Sequence, residues 1–372
     1  MDAPSVELLS THDYQEIKQN IVDELTKASQ GQTSSLSFIK HKLVSKPLIT
    51  EGIVQGIVIG GTNYIVSIEE LTASGERKIL ERRTGVLPQF KTRDDLINFL
   101  EPQLDERIVA IGMNFGFALE PVTGFKGGLD AKLVHAKIAK EHAFAGLDEP
   151  LGTLLQNLFF KKYARTILTS VANDTVCLLL AGTGEENGSL IAGTGVNAGI
   201  KIKDSQQTTL VNLELGNFDK FSLSPILQKI DADSEKPDTY LFEKTISGKY
   251  LARYFNEKAQ ELELALPPLA TSQELSNLSQ TDKDNPAGEL ARAIIKQSAS
   301  LLATALAGIY EFSGKPEKFI FIGEGSMLWK GWQYREHIHE QLAALEIPSD
   351  AIEINHIKDS SINGAIGLIT HS

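Results

Sequence analysis

The stretch that most limits what this chain can fold into runs from Arg165 to Asn197, RTILTSVANDTVCLLLAGTGEENGSLIAGTGVN. Thr166 to Ala172 is rich in β-branched residues and has no Gly or Pro to interrupt it, which predicts a strand. Asn173-Asp174-Thr175 are polar residues of the kind that cap a helix, and the apolar segment Val176 to Leu180 follows. Two glycine–threonine turns come next, Ala181 to Gly184 and Ala192 to Gly195, the second between β-type runs. A carboxylate at a strand end, beside turns whose backbone N–H groups can cradle phosphate, is the arrangement that phosphoryl transfer requires.

The rest of the chain bounds this reading. A length of 372 residues suggests two domains with ample chain for a core, and 42% apolar with 23% charged residues is ordinary for a globular protein. The net charge of -12, without a Lys/Arg cluster that would make a basic face, argues against a nucleic-acid partner. The N-terminal residues lack the basic region and apolar core of a secretory signal, and no apolar run approaches the ~20 residues that cross a bilayer. Cys177 is the single cysteine, so no internal disulfide or cysteine-built zinc site is expected, and the expected location is the cytoplasm.

In chain order, residues 13–29 have the spacing of one helical face, at Ile17, Ile21, Val22 and Leu25. Residues 52–68 read as strand, Gly-Thr turn and strand, and a short helix is expected over Asp94 to Leu100. Arg107 to Met113 is a strand leading into Asn114 to Ala118, and residues 121–150 are glycine-punctuated loop or irregular hairpin. Helices are expected over Leu151 to Tyr163, Thr239 to Phe255 and from Asn285-Pro286 to about Phe312. Residues 267–285 read as a polar surface excursion. Strands at 208–215, 318–322 and 351–355 and a terminal helix from about Ile362 complete the order. IVIGGTNYIVSI near residue 57 and LIAGTGVNAGIKI near residue 190 share a strand, Gly-Thr turn, strand pattern. Two such turns could hold one phosphate chain; chance likeness between hairpins is the competing explanation.

Gly60-Gly61-Thr62-Asn63 has glycines where bulk would block N–H groups from a phosphate, though an ordinary hairpin turn reads the same way. Gly193-Thr194-Gly195 runs into a strand, so it is no dinucleotide loop, which must open a helix. The Gly-Lys-Ser/Thr of a P-loop is missing from these turns, as are the protein-kinase motifs. Asp174 is either a helix cap or the acceptor of the proton from an attacking hydroxyl. Glu214 and Glu243 are solvated acids by default, but two glutamates and two asparagines converging on a pocket would suit a hexose.

Together these stretches resemble the hexokinase family, within the actin-like ATPases. GGTN resembles the family's first phosphate loop, D-L-G-G-T-N-F-R; VANDTV resembles V-N-D-T-V, which carries the catalytic aspartate; LIAGTGVNAG resembles the second phosphate loop, I-V-G-T-G-x-N-A. NLELGNF is similar to N-x-E-W-G-x-F, LFEKTISGKYL to L-F-E-K-M-I-S-G-x-Y-L, and FIGEGSMLW to the adenosine segment. The resemblance implies Asp174 as catalytic base and Asn173, Asn197, Glu214 and Glu243 as sugar contacts, with Lys140 as a further one. It implies Gly60, Gly61, Thr62, Asn63, Gly193, Thr194, Gly195, Gly323, Gly325 and Ser326 on ATP, with Mg2+ accompanying it and no protein ligand for the metal assigned. The implied fold is α/β and two-lobed, actin-like and thus ribonuclease H-like, each lobe a mixed five-stranded sheet with helices and the ligands in a cleft between lobes. Residues 45–174 would form the smaller lobe, with the helix at 362–372 packed back on it, and 175–361 the larger, associated with 1–44.

Three departures stand against that pattern. Val58 replaces the aspartate of the first phosphate loop, which helps organise magnesium; Gly116 replaces the serine of the sugar-contacting F-S-F-P segment, and Ala118 its proline. The resemblance implies phosphorylation of a hexose, glucose foremost, at its 6-hydroxyl by ATP; the alternative is a sugar-binding sensor without catalysis. The bacterial kinase and repressor family of this fold carries a cysteine-rich zinc motif that one cysteine cannot supply, and an actin-type filament would leave Glu214 and Glu243 without purpose.

Overall fold

The computed structural model describes residues 11–43, 46–134, 142–203, 208–281 and 285–370. In chain order its elements begin with α1 (Thr11–Ser29), β1 (Ile39–Lys42), β2 (Gly52–Ile59), β3 (Asn63–Leu71), β4 (Arg77–Val86), α2 (Arg93–Leu100), β5 (Ala110–Phe115), β6 (Leu119–Thr123) and β7 (Leu129–Leu133). There follow α3 (Leu151–Tyr163), β8 (Leu168–Ala172), α4 (Asp174–Leu179), β9 (Gly188–Ala192), β10 (Val196–Lys203), β11 (Thr208–Asn212), α5 (Pro225–Ala232), α6 (Leu241–Ile246) and α7 (Gly248–Glu261). The chain ends with α8 (Ser272–Leu278), α9 (Pro286–Phe312), β12 (Phe319–Glu324), α10 (Ser326–Lys330), α11 (Tyr334–Ala344), β13 (Ile352–Asn355) and α12 (Ser360–Thr370). Two compact units result: unit 1 comprises Met1–Phe38, Leu190–Ala198 and Leu213–His356, and unit 2 comprises Ile39–Ser189, Gly199–Asn212 and Ile357–Ser372.

Unit 2 is built on a five-stranded sheet, order β4-β3-β2-β5-β8, in which β2, β5 and β8 pair in parallel and β3 pairs antiparallel with both β2 and β4. β2 alternates. Ile57 and Ile59 point into a core shared with Phe115, Leu154 and Phe159, while Val54 and Val58 face α12 on the other side. α12 can lie close to the sheet because Gly112 has no side chain: a Cβ there would collide with the carbonyl of Ala365. The three parallel strands end at Ile59, Phe115 and Ala172, and the segments that follow these ends begin with Gly60, Gly116 and Asn173-Asp174.

Unit 1 centres on α9, entered at Asn285, whose side chain accepts from the N–H groups of Ala287 and Gly288, with Pro286 at the first helical position. β12 pairs in parallel with β13 and ends at Glu324, where Gly325 and Ser326 turn the chain into α10. An 18-residue window of α9 is long and apolar enough to cross a bilayer, contrary to the expectation of no such run, but most of it is buried inside the unit. A core helix of this length passes the same test.

Several elements differ from the sequence expectation. The single helix expected over 239–255 breaks into α6 and α7 at Ser247, which is extended (φ -82°, ψ 151°). That break turns the N–H of Gly248 onto the carbonyl of Gly193 at 2.8 Å, a tertiary bond that sequence pattern does not report. β4 was not expected; RKILERRTGV is an edge strand whose side chains are exposed or only partly buried on both faces, Ile79 and Val86 among the exposed ones. The polar excursion contains α8, started by a capping box between Thr271 and Glu274. α10 and α11 were also unforeseen.

Candidate active site

Unit 2 places Asp174 at the first position of α4, just after the end of β8. Asn173 caps the helix: its Oδ1 accepts from the N–H of Thr175 at 3.0 Å and from the Thr175 hydroxyl at 2.8 Å. Its Nδ2 donates to the carbonyl of Phe117 at 3.2 Å, so one side chain joins the loop after β5 to the start of α4. Asp174 is half-buried, and its Oδ1 accepts from the N–H of Thr175 at 2.8 Å.

The loop after β5 contains Gly116, whose N–H donates to the carbonyl of Ile59 at 2.7 Å. A Cβ on Gly116 would stand 3.2 Å from that carbonyl oxygen, 3.3 Å from Cα of Gly60 and 3.4 Å from Oδ2 of Asp174. The carboxylate and the start of the first glycine turn therefore meet over one bare backbone position. The N–H of Gly60 donates to the carbonyl of Asn63 at 3.0 Å, which closes the turn, and Gly61, Thr62 and Asn63 are exposed on it. An exposed run of backbone N–H groups with a hydroxyl can receive a phosphate.

Unit 1 holds the second glycine turn. The N–H of Gly193 donates to the carbonyl of Gly195 at 3.0 Å, with Thr194 exposed at the tip. Gly325, at φ 117°, packs beneath it, and any side chain there would collide with the carbonyl of Ala192. Gly193, Gly325 and the exposed Ser326 are thus brought together, whereas Gly323 is buried, with its carbonyl accepting from the indole N–H of Trp329 at 3.0 Å.

The carboxylates lie on the same unit. Glu243 Oε2 accepts from the N–H of Val196 at 3.2 Å. Asn197 Oδ1 accepts from the N–H groups of Ala198 at 2.8 Å and Leu215 at 3.1 Å, fixing the segment that carries Glu214. Glu214 adopts the left-handed conformation (φ 50°) and is buried. Burial pushes the Glu243 carboxyl up to about 7, and the neighbouring Glu214 charge adds to this. Sequence reasoning missed two neighbours. The Tyr240 hydroxyl holds its proton well above the usual phenol range, through burial and then the charges of Glu214 and Glu243. Lys249 opposes the rise at Glu243 and its N–H reaches the carbonyl of Thr194 at 3.4 Å. Their sequence signal was position: Lys249 lies within LFEKTISGKYL and Tyr240 immediately before it.

Other features of the sequence resolve differently. The turn at 181–184 cannot serve a ligand phosphate as it stands, because Glu186 occupies it: the carboxylate accepts from the N–H groups of Thr183 at 3.0 Å and Gly184 at 2.9 Å. Lys140 lies outside the described residues. For magnesium, the side chain of Val58 sits in an apolar cluster with Ile362, Ala365 and Ile65, and among the described residues no three His, Cys, Asp or Glu side chains are grouped to hold a metal. The described residues do not fit a protein-built metal cage.

The sequence profile of the family described as Hexokinase matches residues 187–260 and 255–370. The chain is 28% identical over 274 residues to a hexokinase of Schistosoma mansoni, a match covering 65% of this chain and 60% of that protein. It is 25% identical over 230 residues to Hexokinase-2 of Oryza sativa subsp. japonica, covering 54% and 47% respectively. The chain thus aligns with less than two thirds of the length of these relatives. The solved structure of hexokinase from Schistosoma mansoni complexed with glucose superposes with a TM-score of 0.79 at 20% identity, covering 97% of this chain and 95% of that one. The likeness shows the fold, an α/β architecture shared with that solved structure.

Proposed function

Since this chain belongs to the hexokinase family, we propose that it transfers the terminal phosphoryl group of ATP to the 6-hydroxyl of a hexose, with glucose the first candidate. The observation that carries this reading is the convergence of Asp174, Gly116 and the Gly60 turn at the ends of three parallel strands. In this reading the hydroxyl oxygen attacks the terminal phosphorus, its proton passes to the Asp174 carboxylate, and ADP leaves. Phosphoryl transfer is governed by positioning and charge stabilisation, so a fixed carboxylate beside N–H-lined turns is the equipment it needs.

The other groups take their parts accordingly. Gly60, Gly61, Thr62 and Asn63 on unit 2, and Gly193, Thr194 and Gly195 on unit 1, would contact the phosphates; Gly325 and Ser326 would border the nucleoside, with Gly323 supporting them from beneath. Asn197, Glu214 and Glu243 would accept sugar hydroxyls, and Lys140 is proposed with them. Asn173 is proposed to act on the sugar through the amide N–H that is not given to Phe117. Magnesium would accompany the nucleotide phosphates rather than reside on the protein. The test is hexose-dependent ADP release in a coupled assay, with Asp174→Asn expected to lower kcat by about 100-fold to 10,000-fold and leave the melting temperature within a few degrees. A rate near that of the unmodified chain would remove Asp174 from the chemistry.

The apolar setting of Val58 favours one second reading, a sugar-binding protein without turnover. Calorimetric hexose binding with no ADP release at any Mg2+ or Mn2+ concentration would select it.

A further inference from the structure

We propose that the turn at 181–184 is a binding site for a small phosphate-bearing anion, kept closed by Glu186 as a built-in stand-in for that anion. The site lies wholly within unit 2 and does not depend on the phosphoryl transfer proposed above. Of the three glycine–threonine turns, it is the one that reaction leaves unused. Its capacity for an oxyanion shows in what occupies it. Oε1 of Glu186 accepts from the N–H of Thr183 at 3.0 Å and from its hydroxyl at 3.2 Å, and Oε2 accepts from the N–H of Gly184 at 2.9 Å. Gly184 adopts a φ of 100° that an L-residue rarely takes, and a side chain on Gly182 would collide with the seated carboxylate. Burial raises the Glu186 carboxyl, but the N–H groups and the hydroxyl outweigh it and hold the group below the usual carboxylate range. The turn therefore carries a full negative charge at neutral pH.

The positive charge beside the turn exceeds what one carboxylate uses. Lys203 Nζ donates to the carbonyl of Gly184 at 3.0 Å. Lys201, whose backbone N–H donates to the carbonyl of Asn187 at 2.7 Å, is half-buried, and its ammonium has no hydrogen-bond or ion-pair partner among the described residues. Burial holds that ammonium below its usual range; the charge of Glu186 opposes the fall and that of Lys203 adds to it. Two ammonium groups from β10 thus accompany a single negative charge, and the half-buried one lacks an acceptor. A phosphate group brings more charge and more acceptor oxygens than a carboxylate, so it can take the two N–H groups, the Thr183 hydroxyl and an ammonium together. Thr183 is exposed, so an anion can reach the turn without passing through the core. Displacing Glu186 costs the three bonds it now makes, which sets the affinity of the closed turn below that of an empty one. The chemistry suits free phosphate and phosphate monoesters alike.

The experiment is calorimetric titration of the full chain with inorganic phosphate and with glycerol 3-phosphate, each at ionic strength matched by chloride. Glu186→Ala removes the built-in competitor and is expected to bind about 10-fold to 100-fold more tightly than the unmodified chain, the worth of a charged hydrogen-bonding group. Adding Lys201→Gln to that variant is expected to return the affinity to the unmodified level or below it. The rise of the melting midpoint with phosphate should follow the same order. Glu186→Gln leaves an uncharged acceptor in the turn; should Glu186→Ala not fold, this variant is expected to show a smaller, several-fold tightening. The turns at 60–63 and 193–195 also offer N–H groups to phosphate, but none of these substitutions touches them, so binding there is the same in every variant. Tightening with both anions assigns the site to phosphate monoesters, and tightening with inorganic phosphate alone assigns it to the free ion. Equal affinity in the unmodified chain and the folded Glu186 variants overturns the inference, and so does the absence of binding in all of them.

Discussion

Val196 donates its backbone N–H to Oε2 of Glu243 at 3.2 Å, and a Cβ on the preceding residue, Gly195, would stand 2.8 Å from that same oxygen. The second glycine turn is therefore built around a buried carboxyl as well as toward a phosphate. One short segment, Gly193 to Asn197, contacts the group proposed for the sugar and exposes the group proposed for the nucleotide.

A pH dependence follows from that carboxyl. Burial, with help from Glu214, holds the Glu243 proton up to about 7, against the opposing pulls of the Val196 N–H, Lys249 and Lys244. A proton held more tightly in the folded chain than in the unfolded one contributes stability that is complete below the ordinary carboxyl range and is lost as pH rises through about 7. Glu243→Gln should match the unmodified chain near pH 4 and exceed it at about pH 8, by a gain on the order of 1–3 kcal/mol. Urea melts across that range check the sign. The ionised carboxylate accepts hydroxyls more strongly than the protonated one, so KM for hexose should fall as pH passes from about 6 to about 8, and flatten in Glu243→Gln. A KM that falls equally in both proteins would assign the titration elsewhere.

Asn173 acts on its neighbours through both ends of its amide. Asn173→Ala removes a helix cap and the tie to Phe117, with an expected stability loss of about 1–2 kcal/mol. Turnover should fall further than stability alone would predict, because the carboxylate of Asp174 and the bare Cα of Gly116 are then free to drift apart. Asn173→Asp keeps an acceptor for Thr175 but no donor for Phe117. It should therefore lose stability as well as kcat, because a buried carboxylate oxygen then faces the carbonyl of Phe117. Equal kcat in Asn173→Asp and the unmodified chain would show that the tie to Phe117 is dispensable.

Much of this arrangement was legible in the chain because local chemistry dictated it. The strand before Asn173, the polar cap and the apolar turn after it are short-range signals, and Asn173 caps the helix by the hydrogen bond such a signal implies. The two glycine turns were legible for the same reason. What could not be read was anything decided by distant partners. Ser247 breaks a helix to put Gly248 on Gly193, fifty-five residues earlier in sequence, and no window of helical periodicity carries that information. The turn at 181–184 looked as open to phosphate as the other two until Glu186, two residues beyond it, proved to fill it. β4 carries no alternating signal because its side chains are exposed or only partly buried on both faces.

Val58 offers the sharpest test of how the chain departs from its relatives' pattern. It is 6% exposed and packs with Ile65 across the β2–β3 pair and with Ile362 and Ala365 of α12. Its neighbour in the β2–β5 register is Asn114, whose Oδ1 is buried without a hydrogen-bond partner. Restoring the acid by Val58→Asp would therefore insert a charge into an apolar cluster, beside an amide whose Nδ2 is turned to the carbonyl of Ser361 at 3.4 Å. The expected result is a loss of several kcal/mol, the usual cost of an unpaired buried carboxylate, with the melting midpoint lowered most at neutral pH and partly recovered as acid protonates the new group. Thermal melts of Val58→Asp with and without Mg2+ check this. A midpoint at or above that of the unmodified chain, raised further by Mg2+ in the absence of nucleotide, would mean that α12 yields and that the cluster is a dormant metal site after all. An unchanged response to Mg2+ in a destabilised variant would mean that position 58 has become core.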